Sequence, residues 1–152
     1  MKLAEALSLR KDLQKKIEQL KVRLVSNVKV QEGDEPAENP DELMKELDGC
    51  LKQLEQLIGR INATNMATIA PDGRTLTAMM AQKEVLSKRI EVLRAVFDKA
   101  SSTQDRYSRT EIKYVTTVPI KPLNKQINDY SRTLRELDLS IQALNFSVDL
   151  IE

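Results

Sequence analysis

Two side-chain groupings in this chain have the types and spacing to do chemistry. One is the acidic run Glu32, Asp34, Glu35 and Glu38. The other is Asp105-Arg106-Tyr107-Ser108-Arg109-Thr110-Glu111, where two arginines flank a tyrosine. Clustered carboxylates can hold calcium or magnesium, but these lack the twelve-residue calcium-loop spacing, and a solvated loop is the simpler reading. The guanidinium pair could hold a carboxylate or phosphate; the alternative is a polar linker that pairs with the acidic loop. Against catalysis stands the absence of His, the commonest general base and metal ligand. There is also no phosphate-binding glycine loop and no nucleophile elbow. The single cysteine, Cys50, sits between Leu47 and Leu54 on an apolar seam. A small buried side chain is expected there, since neither His nor a second Cys is present to make a zinc or catalytic thiol. No catalytic, cofactor-binding or metal-ligating residue is therefore expected, no cofactor is called for, and the chain does not read as an enzyme.

Those groups must be placed by helices. Leu123, Ile127, Tyr130, Leu134, Leu137, Ile141 and Leu144 recur at alternating steps of 4 and 3, a seam that only an α-helix gathers on one face. Residues 1–28 repeat the pattern with Leu3, Leu7, Leu13, Ile17, Leu20, Leu24 and Val28, widened by Ala6 and Val25. Arg10 falls on this stripe, where snorkelling is expected. A second helix over 40–62 carries two adjoining seams, which would let it touch two neighbours. Its start is well marked: Asn39 as cap, Pro40 in the first helical position, then Asp41 and Glu42 at the positive end of the dipole. Pro71-Asp72-Gly73 signals a turn. A third helix follows from Thr75 to about 99 on Leu76, Met79, Met80, Leu86, Ile90, Leu93 and Phe97, widened by Val85 and Val96, with Lys83 as its one charged entry. Residues 111–118 alternate and are rich in β-branched residues and Tyr, the pattern of a strand. Its expected partner is the extended exit of the first helix near Val28 and Val30. That pairing would carry Arg106 and Arg109 close to Glu32 and Asp34. The candidate polar surface is then Glu32, Asp34, Arg106, Tyr107 and Arg109, at one end of the helices.

Composition sets the outer limits. The 152 residues suit one domain spanning 1–152. A net charge of +1 speaks against a nucleic-acid or membrane-surface partner. The charge is unevenly placed, however. Residues 1–31 hold eight Lys/Arg against three acids, and residues 32–55 hold two against nine. Neighbouring helices of opposite sign pairing along their edges would explain this; a charged docking surface is the alternative. No secretory signal is evident, no run reaches the length of a membrane span, and a lone cysteine fits a reducing cytosol.

Several polar stretches resemble a known family. They are Met1-Lys2-Leu3-Ala4-Glu5-Ala6-Leu7, Val30-Gln31-Glu32-Gly33-Asp34-Glu35-Pro36, Ile61-Asn62-Ala63-Thr64-Asn65, Asp105 to Ile112, Arg135-Glu136-Leu137-Asp138 and Ala143-Leu144-Asn145-Phe146. Together they resemble a small bacterial helical family of uncharacterised role, often labelled septicolysin, over nearly the whole chain. The resemblance carries no catalytic residues with it, and the label implies a cytolysin.

The expected fold is mainly α: four long antiparallel helices forming a coiled-coil-like bundle with a short β ribbon. Stripe left over after folding favours a homo-oligomer, a dimer or a closed ring, with another protein as an alternative partner. The expected role is a cytoplasmic, self-assembling structural or interaction module. A small-ligand or anion binder at the polar end-face is the alternative, and a membrane-active, cytolysin-like oligomer is a third reading. If the polar end-face is the working surface, charge reversal at Arg106 or Arg109 will alter assembly by light scattering or partner capture by pull-down.

Overall fold

The computed structural model describes residues 1–102 and 112–152. It contains α1 (Leu3–Asn27), α2 (Pro40–Ala67), α3 (Leu76–Ser101) and α4 (Ile120–Ser147). The architecture is mainly α, with long helices packed in pairs. The chain forms two compact units, Met1–Leu76 with Gln142–Glu152, and Thr77–Ile141.

In the first unit α1 packs on α2. The α1 seam runs Leu3, Ala6, Leu13, Leu20, Leu24 and Asn27, all buried. The α2 seam runs Leu43, Cys50, Leu57 and Ile61, buried, with Leu47 and Leu54 half-buried between them. Each fully buried aliphatic side chain contributes roughly 1.5–3 kcal/mol, and this row supplies most of the hairpin's stability. Ion pairs set the register. Lys16 meets Glu46 at 2.8 Å, and Arg23 meets Glu38 through two bonds of 3.0 and 3.1 Å and a third, shorter one. The later residue of α1 pairs with the earlier residue after it, so the helices are antiparallel. The basic first segment and the acidic second one thus do meet along their edges.

The capping expected for α2 is present: the Asn39 side chain accepts a hydrogen bond from Asp41 N–H at 3.0 Å, with Pro40 next in line. The other end differs from expectation. Residues 62–67 were expected to break the helix, yet α2 continues to Ala67. Thr64 explains this. Its hydroxyl donates to the Arg60 carbonyl, and its own carbonyl accepts from both the N–H and the hydroxyl of Thr68. The turn falls at Pro71-Asp72-Gly73 as read. Gly73 N–H donates to the Ala70 carbonyl, Asp72 Oδ1 accepts from Arg74 N–H, and Gly73 takes φ +87°, a value that favours glycine.

In the second unit α3 and α4 are antiparallel as well. Lys83 bonds Asp138, and Arg89 donates to the Tyr130 hydroxyl at 2.9 Å while lying 5.1 Å above its ring. Met79, Ile90, Leu123, Ile127, Leu137 and Ile141 are buried, and Leu86, Leu93, Phe97, Tyr130 and Leu134 are half-buried. Lys83 keeps its place on an apolar stripe because Asp138 supplies the opposite charge.

Four further expectations need correction. Val25 and Val28 are 69% and 62% exposed and leave the α1 seam; Asn27 takes the inward position. Its side chain accepts from Glu38 N–H at 3.0 Å and donates to the Arg23 carbonyl at 2.8 Å, so a polar residue ends the seam with its hydrogen bonds made. The second α2 seam is not covered: Met44 and Leu51 are exposed. Val85 does not widen a buried stripe on α3 but faces solvent, as does Met80. Lastly, the expected β ribbon between residues 112–118 and Val28–Val30 is absent among the described residues. Among the described residues the β-bridges are Lys2 with Asp149 and Ile69 with Thr75, and residues 112–118 make no backbone ladder. An extended segment becomes a strand only when a second one supplies its partners.

The Arg23 guanidinium holds the Glu38 carboxyl below its ordinary value of 4.5. A lowered carboxylate contributes stability above that ordinary value and loses it as pH falls through the folded value. Glu38→Gln is therefore expected to lower the melting temperature near pH ~7, by a margin that narrows at pH ~3. Melts followed by circular dichroism at the two pH values check this.

Candidate functional site

Of the polar residues singled out in the sequence, Glu32 and Asp34 lie on an exposed turn. Asp34 N–H closes it on the Gln31 carbonyl at 3.0 Å, and Gly33 at φ +90° makes it possible. Glu38, from the same acidic run, turns instead to Arg23. The carboxylates thus do not converge, and among the described residues no cluster of His, Cys, Asp and Glu could hold a metal ion. Arg106, Tyr107 and Arg109 lie outside the described residues. Cys50 is buried and free, as a small core side chain.

The polar construction that the sequence did not reveal lies at the chain termini. Leu3 N–H donates to the Val148 carbonyl and Leu150 N–H to the Met1 carbonyl, both at 2.9 Å. Lys2 Nζ reaches the Ser147 carbonyl and the Asp149 carboxylate, again at 2.9 Å, which holds that carboxyl below its usual range. Arg60 donates to the Ile151 carbonyl, and Ile151 N–H donates to Thr64 Oγ1 at 3.0 Å. Thr64 is 1% exposed, so this bond is made away from water. Nothing in the side-chain pattern announces such a seam, because most of its groups are backbone. The arrangement is structural: it ties the last residues to α1 and α2.

A cavity does lie in the second unit. An open groove of about 850 Å³ runs between the last turns of α3 and the extended segment before α4. Val92, Ala95, Val96 and Ala100 line one wall, with Glu91 and Lys99; Tyr114, Val115, Thr116, Thr117 and Val118 line the other. The Thr116 hydroxyl donates to the Ala100 carbonyl at 2.8 Å and fixes the segment beside the helix end. Ile112, Tyr114 and Val115 are 91%, 80% and 73% exposed. The charged residues of the groove lining are Glu91 and Lys99, one of each sign and both on α3. The groove's signal in the sequence was the β-branched alternation of residues 111–118, which was read as a strand paired with Val28–Val30 and not as the wall of a groove on α3.

Thr64→Val keeps the shape of the side chain and removes the acceptor of Ile151 N–H. It is expected to cost about 1–3 kcal/mol and to speed amide exchange at Ile151. Thr64→Ser should preserve that protection, and native-state hydrogen exchange compares the two.

No curated protein matches the sequence. Among solved structures the chain resembles a functionally unknown conserved protein from Corynebacterium diphtheriae, at 39% identity and a TM-score of 0.93 over 99% of both chains. The model of a family of unknown function, DUF6847, matches residues 10–150, and the chain belongs to that family.

Proposed function

We propose that this protein is a self-assembling interaction module whose working form is a homo-oligomer, a dimer or a closed ring. The observation that carries the reading is the open groove at the end of α3, with Ile112, Tyr114, Val115 and Val92 exposed around it. Leaving such side chains in water forgoes about 25 cal/mol for each Å² of apolar surface, and association recovers it. Helix packing in the second unit uses the other face of α3, through Met79, Leu86 and Ile90, so the Val92 face is free for a partner. In this reading the chain acts by presenting an assembled surface and not by catalysis. A cytosolic setting suits a single buried thiol.

No described helix is long and apolar enough to cross a membrane, which gives the cytolysin reading no support from a helical span. Size-exclusion chromatography with light scattering tests the proposal. A mass of two or more chains is expected at micromolar concentration. A single-chain mass up to about 100 µM, well beyond a micromolar Kd, would overturn it.

A further inference from the structure

We propose that residues Ile112–Val118 form a β-strand whose partner is the same segment of a second copy, paired antiparallel about Val115. The inference rests on the self-assembly reading and names its contact. Within one chain this segment is extended, β-branched and without any backbone hydrogen bond among the described residues. Its hydrogen bond to α3, from the Thr116 hydroxyl to the Ala100 carbonyl, uses a side chain and leaves the backbone N–H and C=O groups without a partner strand among the described residues. An open row of N–H and C=O groups flanked by exposed apolar side chains is a template for another strand.

The segment's own composition favours its copy as the occupant. Pairing about Val115 sets Tyr114 across from Thr116, Ile112 across from Val118 and Val115 across from itself. These aromatic and β-branched combinations stabilise antiparallel strands. Lys113, its only charge, then faces Thr117, so no like charges oppose each other. The helical wall of the groove adds one charge of each sign, Glu91 and Lys99, and so does not repel an identical surface. A two-fold contact of this kind is isologous and closes on itself. Pro119, which has no N–H to donate, ends the pairing after Val118 and limits growth beyond a short ribbon.

The two-fold position supplies the test. Val115→Asp places two carboxylates against each other, and Val115→Lys places two ammonium groups. Each variant alone should shift the wild-type assembly toward monomer, weakening association about tenfold or more in light scattering. An equimolar mixture of the two should restore association, since opposite charges then meet. Both variants lie on an exposed segment and should keep the helical circular dichroism of the wild type; a loss of that signal would count against the segment being free of the fold. Assembly unchanged by both substitutions, or not restored by mixing, overturns this strand contact while the self-assembly reading stands. A monomeric wild type overturns both.

Discussion

Everything in the first unit depends on one buried row, in which Leu3, Ala6, Leu13, Leu20 and Leu24 of α1 share a core with Leu43, Cys50, Leu57 and Ile61 of α2. A helix of 25 residues with such a stripe is marginal in water by itself, because nucleation is costly and the stripe stays wet. Pairing removes both penalties together. Cys50 belongs to this row as packing and not as chemistry, and a thiol there needs no partner beyond its neighbours. The ion pairs at the edges contribute little by comparison, being half-exposed and screened. Their value is in direction and register: Lys16 of α1 meets Glu46 of α2, and Arg23 meets Glu38 just before α2, an order that goes with antiparallel helices.

Polar residues decide where each apolar row stops. Asn27 occupies a seam position and satisfies both the Arg23 carbonyl and the Glu38 N–H, so the chain leaves the helix at a fixed point. Thr64 does the opposite at the far end of α2. Its hydroxyl occupies the Arg60 carbonyl and accepts the Ile151 N–H, which keeps the helix going past Asn62 and anchors the last residues. Each residue is one that disfavours a helix interior, and each is stabilised by hydrogen bonds that only the folded chain supplies.

This explains what could be read from the sequence. Seams with a period of 3.5 residues, the Asn39-Pro40 start and the Pro71-Asp72-Gly73 turn were legible because their physics is local. The length of α2 was not, since Thr64 is held by Ile151, distant in sequence. Nor was the choice of face on α3 and α2, where Val85, Met44 and Leu51 looked as apolar as their buried neighbours; which of two adjoining stripes is covered depends on the partner helix. The groove was half legible. The strand pattern of residues 111–118 was visible, but nothing local in it fixed the segment beside the end of α3 rather than beside Val28–Val30.

The two units end their helices in contrasting ways, and the contrast locates the open chemistry. In the first, backbone groups at the termini are taken up pair by pair: Leu3 with Val148, Leu150 with Met1, Ile151 with Thr64 and Arg60. In the second, the residues leading into α4 have strong strand character and make one side-chain bond to α3. A natural chain tends to agree with itself at every level, from local preference to tertiary contact. Where local preference is plain and no partner strand is present among the described residues, the self-assembly proposed above would supply one.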